Sequence, residues 1–222
     1  MNLTLFDLDG TLLPIDSDHA FGEFMVRIGW ADAAAHAQRN EAFFRDYQAG
    51  CLDIAAYIDF ATAAWRDRDP ESVEAMRRRY VDEVVTQALH PSACDLVERH
   101  RARGDELAIV TATNTFITEP IAAAFGIPTL IATELERDEH HRVTGRIRGT
   151  PSLREGKIER VQDWLHLRGQ RLQDFDEVTF YSDSTNDLPL LEVVNRPVAT
   201  NPSPALADIA AARGWPVLHL FA

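Results

Sequence analysis

Lysine is all but missing from this chain: of 22 basic side chains in 222 residues, 21 are arginine and one is Lys157. Positive charge is scarce overall, because 35 Asp and Glu residues leave a formal charge of -13. Nucleic acid and anionic membranes need a basic face, which a chain this acidic does not offer. Its densest basic run, Arg77-Arg78-Arg79, sits among Glu74, Asp82 and Glu83 and reads as a solvated helix surface. Two cysteines, Cys51 and Cys94, are too few and too far apart for a disulfide framework, and both are expected as small buried apolar residues. No run approaches the ~18 consecutive apolar residues of a membrane span, and no basic stretch precedes an apolar one at the start. A cytoplasmic globular protein with no stable membrane association is the expectation.

What the chain does have is acid at the ends of apolar runs. Leu3-Thr4-Leu5-Phe6 leads into Asp7-Leu8-Asp9-Gly10-Thr11-Leu12. Residues two apart in a strand face the same side, so Asp7 and Asp9 can reach one pocket, and Gly10 lets the chain turn sharply behind them. Such a pair suits aspartate-based phosphoryl chemistry, with a nucleophile and its proton carrier. A second run, Val178-Thr179-Phe180-Tyr181, ends in Ser182-Asp183-Ser184-Thr185-Asn186-Asp187. Clustered carboxylates repel one another, and a divalent ion resolves that repulsion; ligands that are all oxygen favour Mg²⁺ over zinc. Lys157 stands near the start of a predicted helix, where the helix dipole does not favour a cation. Either a compact ammonium is needed there, or the one lysine of an Arg-biased chain simply falls there.

Apolar positions at helical spacing run almost unbroken through 17–88, and Asp69-Pro70-Glu71 supplies an N-cap, a first-turn proline and an acid. Beyond that block the pattern alternates: helix 91–103, strand 106–111, helix 115–124, strand 128–132, helix 156–168, strands 177–182 and 197–200, and helix 203–212. The fold class expected is α/β, a Rossmann-like parallel sheet core with a helical cap inserted after the first strand. Domain limits follow as 1–13 and 91–222 for the core and 14–90 for the cap, with hinges at 13–16 and 89–91. Strand ends of a parallel sheet open into one crevice, so Asp7, Thr111 and Asp183 should converge. Segment 134–148 reads as a short hairpin whose Asp138-Glu139-His140-His141 is an exposed polar turn rather than a metal site.

With Leu107-Ala108-Ile109-Val110-Thr111, a strand ending in a hydroxyl, the ordered set Asp7 and Asp9, Thr111, Lys157, then Asp183 and Asp187 resembles the haloacid dehalogenase-like superfamily of phosphohydrolases. The resemblance spans most of the chain. It implies that Asp7 attacks phosphorus, that Asp9 serves as acid and then base while lending its backbone carbonyl to Mg²⁺, and that Asp183 binds the ion with Asp187 orienting its ligands. Thr111 and Lys157 would hold the oxygens of the transferring group. Asn114 caps the helix that begins there or points into the site.

Within the superfamily the chain resembles the phosphoserine phosphatase-like subgroup, which includes bacterial members assigned to histidinol phosphate. Asp16, nine residues after Asp7, matches the position of a substrate-binding glutamate, one methylene shorter; Asp18 and His19 extend the same polar hinge. Asp16 and Asp18 fit either a contact with a cationic amino-alcohol phosphate or helix capping. Where phosphoserine phosphatases follow the second-motif hydroxyl with paired glycines, this chain has Ala112-Thr113-Asn114. The expected partner is a small phosphorylated metabolite. Rival readings are a phosphotransferase, a lipid-phosphate hydrolase using an open apolar face at Phe21, Phe24, Met25 and Trp30, and a phospho-accepting signalling domain, which would lack Asp9 and the helical block. No oligomeric state follows from the sequence.

Overall fold

A computed structural model describes residues 1–221. After β1 (Asn2–Phe6) come α1 (Ser17–Arg27), α2 (Ala33–Gln48), α3 (Ile54–Ala63) and α4 (Pro70–Tyr80), which continues through a π-helical turn, Val81–Val85, into α5 (Thr86–Ala88). Then follow α6 (Pro91–Ala102), β2 (Glu106–Asn114), α7 (Thr115–Ala124), β3 (Thr129–Thr133), β4 (Leu135–Arg137) and β5 (Val143–Ile147). The chain closes with α8 (Glu155–His166), β6 (Glu177–Ser182), α9 (Leu188–Val193), β7 (Arg196–Thr200), α10 (Pro204–Arg213) and β8 (Val217–Leu218).

Six strands form a parallel sheet in the order β3-β2-β1-β6-β7-β8, while β4 and β5 pair as a separate antiparallel hairpin. β1 sits near the middle of the sheet, buried on both faces, and its alternating side chains divide between two cores. Leu3 and Leu5 pack with Ala108, Val110, Val178 and Phe180 on one face; Phe6 packs with Leu107, Ile109 and Tyr181 on the other. The switch in strand order on either side of β1 puts the ends of β1, β2 and β6 around one crevice.

All the helices from α1 to α5 lie between β1 and β2, as expected for a helical insertion after the first strand. Four of them begin in the same way: Asp16, Asp32, Asp53 and Asp69 each accept the amide hydrogen of the residue three positions on. Phe21, Phe24 and Met25 are buried, with Phe21 meeting the Tyr80 ring edge-on at 5.0 Å. They are packed core, and Trp30 is half-buried with the Arg68 guanidinium over its ring at 4.2 Å, so these four residues do not form the open apolar face of a lipid-phosphate reading. No described helix is long and apolar enough to cross a membrane.

Most sequence-based limits hold to within one or two residues, with four differences. Strand β2 runs on to Asn114 rather than stopping at Thr111. The short elements α9 and β8 were not expected, being only six and two residues long. Cys51 and Cys94 are exposed, not buried: Cys51 follows the turn that ends α2, and Cys94 lies off the inward stripe Ala93, Leu96, Val97 and His100 of α6. His140 and His141 are exposed on the hairpin turn, as expected.

A buried polar network ties α6 to the sheet. His100 shares a 2.6 Å hydrogen bond between Nδ1 and Asp105 Oδ2, and its Nε2 lies 2.8 Å from the Tyr181 hydroxyl. Asn2 Nδ2 donates to Asp105 Oδ1 at 3.0 Å. Burial alone would raise the Asp105 pKa, but the hydrogen bonds from His100 and Asn2 and the Arg103 charge outweigh it and hold the group below its usual range. A depressed carboxylate pKa stabilises the fold above the unfolded-state pKa and loses that contribution as pH falls through the folded value. Asp105→Ala is expected to cost about 2–3 kcal/mol at neutral pH, because it strands several buried donors; urea unfolding measures it, and the difference from wild type should shrink in acid.

Candidate active site

The first strand delivers Asp7 to the crevice, with its amide donating to the Tyr181 carbonyl at 2.9 Å. The chain then winds tightly, the amides of Thr11, Leu12 and Leu13 all turning back to the Leu8 carbonyl at 3.2, 2.8 and 2.9 Å. Gly10 has φ +73°, and a β-carbon there would lie 2.4 Å from Asp183 Oδ2. Only glycine lets the Asp183 carboxylate come this close to the first motif.

Lys157, in the first turn of α8, is 1% exposed and lies 2.8 Å from Asp7 Oδ1 and 2.7 Å from Asp187 Oδ1. The lone ammonium is thus clamped between carboxylates from two distant motifs. Asp187 is also held by the Ser182 hydroxyl at 2.7 Å, and Asp7 Oδ2 accepts from the Thr11 hydroxyl at 3.3 Å. Asp9 is gripped from two sides: Oδ1 accepts from the Ser17 amide and Oδ2 from the Thr113 hydroxyl, each at 2.8 Å.

Negative charge exceeds what one ammonium neutralises. Burial pushes Asp7 up to about 7; Lys157 opposes this, and the charges of Asp187 and Asp9 add to it. Asp9 is likewise pushed up to about 7, by burial and then by Asp16, against the donors Ser17 and Thr113. Asp183 is raised well above its usual range by burial and by repulsion from Asp7 and Asp187. Lys157 moves the other way from what burial dictates, since Asp187 and Asp7 keep its ammonium charged.

These residues fit a hard divalent cation. The donors at hand are oxygens, Asp183 is brought against Gly10, and the cluster carries surplus negative charge. Among the described residues no group of three or more carboxylate, imidazole or thiol ligands is assembled. An ion held here would therefore take few side chains and complete its shell with backbone carbonyl, substrate and water, which is the habit of Mg²⁺ rather than of zinc.

Over Asp7 and Asp9 lies a cavity of about 50 Å³, closed from the insertion side by Asp16, Asp18, His19, Tyr47 and Tyr57, with Thr111 and Thr113 on its core wall. A groove of about 720 Å³ elsewhere, around Tyr181, Arg196 and Trp215, contains none of the acids of the four motifs. Chemistry, not size, identifies the site. Asp16 caps α1 by accepting from the His19 amide at 2.8 Å and also faces the cavity, so both of its expected uses are open to it. Asp18 is buried and lines the cavity, with no hydrogen-bond partner on Oδ1.

One expectation changes, and the partners of Lys157 come into view. Asn114 occupies the N-cap position of α7 but makes no side-chain capping bond; it is buried, its Oδ1 has no partner, and it is not part of the cavity wall. Lys157 directs its hydrogen bonds to Asp7 and Asp187. Sequence reasoning missed Ser17, Thr113, Ser182, Tyr47 and Tyr57. Thr113 lies on the unexpected continuation of β2 and Ser182 ends β6 beside Asp183, whereas Ser17, Tyr47 and Tyr57 depend on how the insertion folds back.

The profile of the haloacid dehalogenase-like hydrolases matches residues 4–192, and the chain belongs to that family of enzymes. It is 44% identical over 218 residues to a histidinol-phosphatase of Neisseria meningitidis serogroup C (strain 8013), covering 98% of each chain. A crystal structure of a protein with unknown function from Bordetella pertussis Tohama I superposes with a TM-score of 0.93 at 48% identity, over 99% of each chain. A substrate-bound phosphoserine phosphatase shares the fold at a TM-score of 0.68 and 18% identity, covering 97% of this chain and 91% of that one.

The raised pKa values give a pH test. Between the ordinary 3.8 and about 7, folded Asp7 and Asp9 bind protons that the unfolded chain has released, so their contribution to stability falls as pH rises through that window. In chelator, the melting temperature of wild type minus that of Asp9→Asn should decline from pH 5 to pH 8, and Mg²⁺ should raise the wild-type value more at pH 8 than at pH 5. A difference that is flat with pH, together with no response to Mg²⁺, would remove the electrostatic basis for the ion.

Proposed function

We propose that this chain is a Mg²⁺-dependent phosphatase that hydrolyses a small phosphomonoester bearing a cationic amine, with histidinol phosphate as the leading candidate, through an aspartyl-phosphate. The observation that carries the chemistry is the disposition of Asp7 and Asp9: a buried and a half-buried carboxylate on one cavity floor, the first paired to an ammonium and the second held by two hydrogen-bond donors. Asp7 attacks phosphorus as the ester P–O bond breaks, and Asp9 passes its proton to the departing alkoxide oxygen. Asp9 then takes a proton from water, whose oxygen attacks the aspartyl-phosphate and releases inorganic phosphate and free Asp7. Asp7, the Asp9 carbonyl and Asp183 would hold Mg²⁺, with Asp187 positioned to orient them. The ion would neutralise charge on the phosphoryl oxygens.

Lys157 favours the ionised form of Asp7 against its burial and holds it in place, and with Thr111 it would bind the oxygens of the transferring group. Residues 1–13 and 91–222 would form the catalytic core and 14–90 the cap that selects substrate. Support for an amine comes from the cap side of the cavity. Burial, together with the charges of Asp16 and Asp9, pushes Asp18 well above the ordinary carboxylate range against a hydrogen bond from Tyr57, and this cavity-lining residue keeps one buried carboxylate oxygen without a partner. An ammonium would satisfy both the hydrogen bond and the charge. The aromatic side chains Phe43, Phe44, Tyr47 and Tyr57 offer flat surfaces for a planar ring. Similarity over nearly the whole length to the neisserial histidinol-phosphatase points the same way.

Phosphate release from purified protein with Mg²⁺ should be fastest on histidinol phosphate in a panel that includes phosphoserine and an aryl phosphate. Asp18→Asn isolates the amine contact without disturbing the Asp16 cap. It should lower kcat/KM on histidinol phosphate by about 10-fold to 150-fold, as expected for a buried charge-assisted contact, and change aryl phosphate hydrolysis far less. Equal losses on both would remove Asp18 from substrate recognition.

A further inference from the structure

Asp9 is held asymmetrically, and the asymmetry concerns which of its oxygens can carry a proton. Oδ1 accepts from the backbone amide of Ser17, a group that can only donate, while the nearby Ser17 hydroxyl makes no hydrogen bond of good geometry to it. That amide is itself anchored: the buried Tyr80 hydroxyl donates to the Ser17 carbonyl at 2.6 Å, fixing the start of α1. Oδ2 accepts from the Thr113 hydroxyl at 2.8 Å, and a hydroxyl can rotate to donate or to accept. Thr113 is buried, and its own amide donates to the Thr111 hydroxyl at 3.2 Å, so its backbone is tied to the second motif.

From this geometry we infer that Thr113 is a positioning residue for the acid step: it makes Oδ2 the oxygen that bears the transferred proton and steadies the carboxylate as that proton leaves. The inference rests on the proposed role of Asp9. A proton on Oδ1 would point against the Ser17 N–H, whereas on Oδ2 it meets a hydroxyl that can turn. As the ester P–O bond breaks, the proton moves from Oδ2 to the leaving oxygen, and Thr113 donates to the carboxylate left behind. No charge or atom beyond those of the hydrolysis itself is required.

The test is dependence on the leaving group. Thr113→Val keeps the shape and removes the hydroxyl, while Thr113→Ser restores it. Single-turnover alcohol release should fall about 10-fold to 100-fold in the valine variant with histidinol phosphate, whose alkoxide needs a proton, but only about 3-fold or less with p-nitrophenyl phosphate, whose leaving group does not. Serine should recover most of the loss. If the valine variant does not fold, as judged by circular dichroism, Thr113→Ala against Thr113→Ser gives the same comparison. Equal losses on both substrates, no loss, or no recovery by serine would overturn the inference. A wild-type enzyme that releases neither alcohol would instead overturn the phosphatase reading beneath it.

Discussion

Everything at the catalytic end of this protein depends on one buried ammonium. Lys157 is 1% exposed, and Asp7 and Asp187 are nearly as deeply enclosed. Burying such charges is costly unless each finds a partner with good geometry, and removing one partner from a buried set is far more damaging than losing a surface ion pair. The contacts at 2.8 and 2.7 Å join the end of β1, the first turn of α8 and the turn before α9, three segments with no proximity in sequence. The ion pair both assembles the site and leaves it with more carboxylate than ammonium. That surplus of negative charge suits a divalent cation.

The helical insertion acts on this centre through its backbone as well as its side chains. Ser17 at the start of α1 grips Asp9, and on the opposite flank Asn186 Nδ2 donates to the Tyr47 carbonyl at 2.9 Å while Arg154 donates to the Gly50 carbonyl at 2.5 Å. The loop after α2 is therefore latched to the two core segments that carry Lys157 and Asp187. The insertion and the segments carrying Lys157 and Asp187 are thus joined by direct hydrogen bonds. A cap seated in this way encloses a cavity of about 50 Å³ over Asp7.

Much of this was legible in the chain itself, for physical reasons. The acids stand at strand ends, where period-2 alternation fixes the face on which Asp7 and Asp9 project, and the four motifs converge because parallel strands share one carboxyl edge. The Asp residues that open four of the helices are local signals and were open to the same reading. The exposure of Cys94 could also have been read, from the 93, 96, 97, 100 stripe that passes it by. What sequence did not disclose were contacts made across long separations: Tyr80 to Ser17, Thr113 to Asp9 and Asn186 to Tyr47. Asn114 shows the opposite failure, in which a good capping residue at a helix start forms no cap because its side chain is buried elsewhere.

The central claim is that Asp7 becomes covalently phosphorylated during turnover, and rapid acid quenching measures this directly. Protein mixed with substrate labelled at the phosphoryl group and stopped within one turnover should retain acid-stable, hydroxylamine-labile label. Peptide mapping should place that label on the segment containing Asp7. Turnover with no trapped label under conditions where the acid step is faster than hydrolysis, or label on any other residue, would contradict it.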